Sequence, residues 1–326
     1  MTKFVIFACL FATVLCRPAS QSTKDVKKDE KEDGFHAVIK INNKREKDEK
    51  KGKELSATEA VELFEADIVK TPKLMARINR MKRNESEESP FDAIQNGAWP
   101  NAIVPYVITN MMTQQDRYAI AEAINEYKQK TCIRFVPRTN EPSYVNFIKG
   151  GGCYSMIGRQ GGRQDISLGQ GCGYKGIAIH EMMHALGFFH EQSRRDRDRY
   201  IRVNYQNIQS GMAYNFDMYR YGEALTLDEP YDTSSIMHYD NYAFSVTGYK
   251  TIESLRNPSD VLGQRNALSQ IDINQLNKYY NCKSTTVTTK PSTCEDGIYL
   301  CRLGNTWCSK DSYYKNNCKK TCNLCK

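Results

Sequence analysis

Histidine is scarce in this chain, with five among 326 residues, and tryptophan occurs only twice. No stretch after residue 16 is apolar enough to span a bilayer, which excludes a helical integral membrane protein. The chain has no internal repeat and no nucleic-acid-binding motif, so nucleic acid is not an expected partner. The net charge of +8 is modest; it fits a mildly basic soluble protein, or one attracted to acidic matrix or cell surfaces.

The longest apolar run lies at the N-terminus. Lys3 begins a short basic region, the residues from Phe4 to Cys16 are apolar, and Arg17 ends the run. The run is short for a membrane span and is typical of a cleaved secretory signal. We therefore predict that residues 1–16 are a signal peptide and that the protein is secreted into the extracellular space.

The cysteine count agrees with this compartment. The chain has twelve cysteines, and removal of the signal peptide takes away Cys9 and Cys16. An even number remains. In an oxidising compartment, the ten remaining cysteines predict five disulfides and no free thiol.

A charged region precedes the compact domain. Residues 17–54 are rich in Lys, Glu and Asp without apolar periodicity, which predicts disorder. In the amphipathic stretch "SATEAVELFEADIVK", Ser56 and Glu59 form a capping-box pattern typical of a helix start. The basic run "RMKR" ending at Arg83 is either a solvated surface or a site for a processing protease, and its position between charged and folded segments favours cleavage. We predict a propeptide over residues 17–92.

The patterns of the next region predict a compact domain over residues 93–282. A strand is expected at Val104–Ile108, with further strands in "CIRFVPR", "YVNFIKG" and "DISLGQGC". The segment "TQQDRYAIAEAINEYKQKT" predicts a helix capped by Thr113 and Asp116. A last helix is expected in "INQLNKYYNC", ending at Cys282.

Two short segments complete the chain. Residues 283–293 are rich in Ser, Thr and Pro, which is typical of a linker. Residues 294–326 contain six cysteines. So small a segment cannot build a hydrophobic core, so disulfides must hold it together.

Three of the five histidines lie within the segment "HEMMHALGFFHEQ". The segment is compatible with a helix, so His180 and His184 share one face and can bind one metal ion. Gly187 permits a sharp turn that brings His190 to the same ion. Three imidazoles with an open fourth position are typical of a catalytic zinc site, whereas structural sites are usually closed by four ligands. The alternative is a buried helix whose histidines bond to other protein groups.

Glu181 follows the first predicted ligand directly. It can take a proton from metal-bound water, whose pKa the metal lowers to about 7, and pass that proton to a leaving amine. This chemistry hydrolyses a peptide bond without a covalent intermediate. We therefore predict one Zn²⁺ per subunit and protein or peptide substrates.

The pattern "HEMMHALGFFHEQSRRDRD", with "SSIMHYD" downstream, resembles the astacin family of metzincin zinc endopeptidases over about residues 93–282. The resemblance implies an α+β fold with a sheet and two long helices, a more irregular C-terminal half and a zinc cleft between the halves. Substrate would pair with an edge strand near "DISLGQG". The implied site residues are the zinc ligands His180, His184 and His190, the general base and acid Glu181, and Met237 beneath the zinc. Tyr239 would be an extra zinc ligand that swings away and hydrogen-bonds the oxyanion during turnover.

The resemblance also implies disulfides. It pairs Cys132 with Cys282 and Cys153 with Cys172, and the alternative use of these cysteines as metal ligands is poor because no CxxC pair occurs among them. The C-terminal segment resembles the ShKT domain, named after sea anemone channel toxins, and the combination is of a nematode type. The implied ShKT pairs are Cys294–Cys325, Cys301–Cys318 and Cys308–Cys322.

The stretch "FEADIV" resembles the family's short inhibitory motif, in which an aspartate caps the zinc. Asp67 would then displace the catalytic water and keep the proenzyme latent; the alternative is an ordinary aspartate on a helix surface. The family usually has Gly where Ala66 stands. Cleavage after Arg83 would leave Asn84 first, within the chain's only N-glycosylation motif, and a second trim would leave Ala93 first.

Two functions fit these patterns. The first is a secreted zinc endopeptidase made as a zymogen, cut by an activating protease and acting on matrix or cuticle proteins, dietary protein or a precursor. The second is a catalytically inactive protein that binds a partner through its ShKT module. An inactive relative typically lacks a zinc ligand or the glutamate, and this chain retains all of them, which favours the enzyme.

Overall fold

The structure is a computed structural model that describes residues 61–76, 97–218, 227–246 and 248–282. The predicted signal peptide, the basic run ending at Arg83, the Asn84 motif, the linker and the six-cysteine segment all lie outside the described residues. In the ranges that the structure does describe, no helix has the length and apolar character needed to cross a bilayer.

Nine short strands form two sheets in the described part of the chain: β1 (Leu63–Phe64), β2 (Ile68–Val69), β3 (Ile103–Ile108), β4 (Arg134–Pro137), β5 (Tyr144–Ile148), β6 (Cys153–Ser155), β7 (Arg163–Leu168), β8 (Ile201–Val203) and β9 (Ile252–Ser254). The larger sheet has the order β1-β2-β6-β7-β5-β3-β4. Strands β3, β4, β5 and β7 run parallel, β6 is antiparallel to β7, and β2 is parallel to β6. The sheet is therefore mixed.

Three helices of ten or more residues are described: α1 (Gln114–Lys130), α2 (Lys175–Ala185) and α3 (Gln270–Tyr279). The helix predicted from the Thr113 and Asp116 cap is confirmed as α1, whose capping box is complete. The predicted last helix is confirmed as α3, which begins with a second capping box and ends before Cys282.

Helices α1 and α2 share the larger hydrophobic core with the sheet. The α1 residue Tyr127 is fully buried, and its hydroxyl donates to the Ile179 carbonyl on α2 at 2.9 Å. Every residue of α2 from Gly176 to Ala185 is buried, so this helix is enclosed on all sides. At Gly176 a Cβ would lie 1.6 Å from the Arg265 carbonyl oxygen, so only glycine fits there. These contacts fix the helix that carries His180 and His184.

The C-terminal half has a second, smaller core built from few regular elements. Short 3₁₀ turns and the antiparallel pair β8–β9 surround it. Its buried members include Phe216, Tyr239 and Phe244. A mixed sheet with helices in one half and irregular structure in the other agrees with the predicted α+β fold.

Two disulfides close the domain. Cys132 after α1 is bonded to Cys282 after α3, and Cys153 on β6 is bonded to Cys172 just before α2. Both are pairs that the resemblance implies. The three pairs expected within residues 294–326 lie outside the part of the chain that the structure describes.

Two expectations need correction. The stretch that follows the Ser56 capping pattern is a hairpin of β1 and β2 rather than a helix, because its backbone bonds join Leu63–Phe64 to Ile68–Val69. The edge strand was expected near "DISLGQG", and this is wrong: β7 lies between β5 and β6. The sheet of the compact domain ends at β6, and β2 covers that edge. A three-residue strand between glycine-rich segments gives no clear sequence signal.

Candidate metal centre

The three histidines of the predicted motif meet at one point. His180 and His184 lie one turn apart on α2, and their Nε2 atoms are 3.1 Å from each other. Gly187, with φ of 109°, turns the chain after the helix so that His190 faces the other two. All three side chains are buried, with exposed fractions of 1% or less.

Backbone carbonyls orient the first two rings. His180 Nδ1 lies 2.8 Å from the Ile236 carbonyl oxygen, and His184 Nδ1 lies 2.7 Å from the Phe188 carbonyl oxygen. A carbonyl oxygen only accepts, so each Nδ1 carries the proton and each Nε2 presents its lone pair inward. This is the tautomer in which histidine binds a metal through Nε2.

Asp67 completes the group from the β1–β2 hairpin. Its Oδ2 is 3.0 Å from His180 Nε2, and its Oδ1 is 3.4 Å from His184 Nε2 and 3.2 Å from His190 Nε2. Tetrahedral zinc with bonds of about 2.0–2.1 Å has ligand atoms about 3.3 Å apart. Three imidazoles and one carboxylate at these separations therefore fit zinc.

Burial and the local charges set the protonation of this group. Burial lowers the pKa of His180 and His184, which favours the neutral form that binds metal. Burial alone would raise the pKa of Asp67, but His190 and His184 hold it well below its usual range. The carboxylates of Asp67 and Glu65 outweigh burial at His190 and raise its pKa to about 9. Metal binding must release that proton.

Glu181 follows His180 on α2, and its side chain is buried. It is fully buried, and neither carboxylate oxygen has a hydrogen-bond partner among the described residues. Burial, with Asp67 as a second cause, raises the pKa of Glu181 well above its usual range. A buried carboxylate without partners costs free energy, and such a cost is typical of a functional group.

Met237 and Tyr239 lie within the segment "SIMHY", residues 235–239. The Tyr239 ring contacts His190 at 4.8 Å between centroids, and its hydroxyl donates to the Glu65 carbonyl oxygen at 2.9 Å. Met237 is 2% exposed and belongs to the core cluster that contains α2. Asp272 anchors this segment by accepting hydrogen bonds from Ser235 Oγ and Ile236 N.

Several contact residues were missed by the sequence analysis. Glu65 accepts from His190 Nδ1 at 2.9 Å and from Ser193 Oγ at 3.0 Å. Gln192 accepts from the Tyr239 backbone N–H at 3.0 Å. The only available signal for Glu65 was its place two residues before Asp67, since its partners lie more than 120 residues away.

A comparison with protein families matches residues 92–281 to the Astacin model, described as peptidase family M12A. Zinc metalloproteinase nas-13 of Caenorhabditis elegans is 46% identical over 192 residues, covering 59% of this chain and 42% of the relative. High choriolytic enzyme 2 of Oryzias latipes is 46% identical over 183 residues, covering 56% of this chain and 64% of the relative. The chain spans about half the length of the curated relatives it matches.

One solved structure is also similar to this chain. High choriolytic enzyme 1, a hatching enzyme zinc-protease from Oryzias latipes, superposes with a TM-score of 0.54 at 44% sequence identity. The match covers 57% of this chain and 94% of that one. The similarity therefore lies in the compact domain that carries the three histidines.

Proposed function

The chain belongs to the astacin family, peptidase family M12A, and from this premise we propose that the whole protein is a secreted zinc endopeptidase made as a zymogen. The observation that carries the proposal is the buried cluster of His180, His184, His190 and Asp67, whose ligand atoms lie within 4.8 Å of one another. In the mature enzyme we assign zinc to the three histidines, and in the proenzyme Asp67 adds a fourth ligand.

We assign the proton transfers to Glu181. Zinc at this site supplies Lewis acidity, which lowers the pKa of water and polarises the scissile carbonyl. Glu181 takes the proton of the attacking water and delivers it to the leaving amine. Burial raises the pKa of Glu181, which makes its carboxylate a stronger base for the proton of the attacking water.

Tyr239 is the proposed donor to the oxyanion. Its hydroxyl is held by the carbonyl of Glu65, a residue of the proposed propeptide. Departure of the propeptide would remove this acceptor, and the hydroxyl would then donate to the tetrahedral intermediate of peptide hydrolysis. Met237 remains a structural residue beneath the histidines.

Latency follows from the position of the β1–β2 hairpin. Asp67 lies between the three histidines, and its backbone carbonyl accepts from Ser155 N on β6 at 2.9 Å. The hairpin would therefore occupy both the fourth ligand position of the metal and the sheet edge along which an extended substrate would pair. Cleavage after Arg83 by an activating protease, with a mature start at Asn84 or Ala93, would release this hairpin.

The remaining proposals concern the ends of the chain and its partners. We propose a signal peptide at 1–16, a propeptide at 17–92, a catalytic domain at 93–282, a linker at 283–293 and a ShKT domain at 294–326. Protein or peptide substrates follow from the peptidase family. Matrix or cuticle proteins are candidate substrates, and the ShKT module would contact the substrate or place the enzyme.

Glu181→Ala tests the proposed mechanism. We expect the activated variant to lose about 10²–10⁴-fold in kcat/KM on a peptide substrate, because the proton transfers lose their base. Zinc content should not change, since Glu181 lies outside the ligand set, and metal analysis checks this. Unchanged cleavage by a zinc-loaded variant would disprove the role of Glu181.

A further inference from the structure

The hairpin between β1 and β2 brings a second carboxylate to the metal centre. Glu65 is only 1% exposed, and each of its carboxylate oxygens accepts one hydrogen bond from the catalytic domain. The donors are the Nδ1 atom of His190 and the hydroxyl of Ser193. The inhibitory role of Asp67 does not require these contacts.

The three histidines receive their orienting partners from different parts of the chain. The partners of His180 and His184 are backbone carbonyls of the catalytic domain, at Ile236 and Phe188. The Nδ1 atom of His190 instead bonds to a carboxylate of the hairpin, that of Glu65. A carboxylate that accepts from the second ring nitrogen fixes the ring and raises its basicity as a ligand.

We propose that Glu65 is a positioning residue for the third zinc ligand, holding the His190 ring so that the hairpin strengthens zinc binding in the zymogen beyond the bond made by Asp67. The inference rests on the proposed function, because it takes His190 as a zinc ligand and the hairpin as part of a removable propeptide. Activation would then remove two contributions to zinc binding together, the ligand Asp67 and the Glu65 contact that orients His190.

Ser193 fixes the rotamer of Glu65. Its hydroxyl donates to Oε1 at 3.0 Å and leaves Oε2 directed at His190 Nδ1. Ser193 does not belong to the group of metal-binding side chains, so Ser193→Ala loosens Glu65 without removing a metal ligand. We expect this variant to change zinc binding in the same direction as a Glu65 variant, and by less.

The test measures how fast the full-length, zinc-loaded chain transfers its metal to a colorimetric chelator. Loss of the outer partner of a metal-bound histidine typically costs about 10–100-fold in metal affinity. We expect Glu65→Ala to release zinc about tenfold faster or more, and Glu65→Gln to fall between Ala and the parent because it keeps an acceptor but loses the charge. Intact mass, measured before and after, shows that the propeptide is still attached.

Glu62→Gln is the matched control. Glu62 is a carboxylate of the same hairpin, but its side chain is 83% exposed and pairs with Lys70 at 3.7 Å. It should release zinc at the rate of the parent chain. Equal rates for the parent and Glu65→Ala would overturn the proposal.

Cobalt substitution separates positioning from simple docking of the hairpin. With Co²⁺ in place of zinc, Glu65→Gln should keep the visible spectrum of the parent zymogen, since Asp67 is still a ligand. A Glu65→Gln spectrum equal to that of the mature chain would show that the variant merely releases the hairpin, and would overturn the positioning role.

The mature chains separate this inference from the proposed function. After cleavage at Arg83 the chains lack Glu65, so Glu65→Ala and the parent should give identical zinc release and identical peptidase activity. A zymogen difference with no mature activity in any chain would support the inference and refute the peptidase. Active mature chains with no zymogen difference would refute the inference alone.

Discussion

At the scale of single residues, the turn of the proposed inhibitory hairpin has an unfavourable backbone conformation. Glu65 and Ala66 have φ of 48° and 73°, in the left-handed region that favours glycine. Ala66 stands where the astacin inhibitory motif usually has Gly. A Cβ in this region raises the free energy of the docked hairpin by about 1–2 kcal/mol. Part of this cost is offset, because alanine leaves the released propeptide less conformational entropy than glycine does.

Ala66→Gly should therefore strengthen latency. We expect a net stabilisation of the docked hairpin by about 1 kcal/mol, which corresponds to about fivefold weaker residual activity of the uncut zymogen. Residual peptide cleavage before activation measures this. Ala76→Gly is the control, because Ala76 lies exposed in a helical turn and gains nothing from glycine. Equal residual activity of Ala66→Gly and the parent would show that the turn bears no strain.

Tyr239→Phe addresses the second catalytic assignment. Removal of the hydroxyl should lower kcat by about 10²–10³-fold, the usual loss for one oxyanion donor, with zinc content unchanged. The phenyl ring keeps the packing against His190 and Phe216, so the fold should persist. Steady-state kinetics on the activated chain check this. A loss confined to KM would contradict the oxyanion role.

At the scale of elements, α3 supports the metal centre from a distance. Asp272 completes its capping box and also accepts from Ser235 Oγ and Ile236 N, and the Ile236 carbonyl in turn orients His180. The N-terminal cap of α3 thus fixes the loop whose Ile236 carbonyl orients His180 on α2. No spacing pattern in the sequence joins these residues, so the sequence predicted α3 but not this link.

Asp272→Ala should affect both stability and zinc. The substitution leaves the buried Ile236 N–H and the N-terminal cap of α3 without an acceptor. We expect the free energy of unfolding to fall by about 3 kcal/mol and Tm to fall by about 6–12 °C. Zinc binding should weaken as well, because His180 loses a fixed partner. Asn274→Ala, on the same helix, removes only a bond to Glu229 at 3.3 Å and an exposed bond from Gln270 at 2.9 Å, and should change Tm little. Calorimetry and chelator competition measure both effects, and an unchanged Tm for Asp272→Ala would refute the anchoring role.

The elements also show where sequence patterns fail. α1 and α3 could be predicted because their caps and apolar faces are local signals. β6 has only three residues, and the hairpin at 63–69 takes its shape from contacts with β6 and the histidines. At residues 63–69 these tertiary contacts give a hairpin where the amphipathic pattern favoured a helix.

At the scale of the whole molecule, the proposed latency and the proposed catalysis depend on the same group of side chains. Within the described residues the hairpin supplies Asp67 to the ligand group, Glu65 to His190 and Ser193, and a carbonyl to Tyr239. The convergence of His180, His184 and His190 could be predicted from the sequence because their spacing is fixed by one helix and one glycine turn. The contacts of Glu65 could not, because they join residues 125 and 128 positions apart.

One measurement tests the central claim most directly: peptide cleavage by the secreted chain before and after a cut at Arg83, with and without a zinc chelator. We predict a silent uncut chain, an active cut chain whose activity the chelator abolishes, and recovery when zinc is restored. Sequencing the new N-terminus shows whether it is Asn84 or Ala93. A correctly cut, zinc-loaded chain that cleaves no peptide would contradict the account and support a binding role instead.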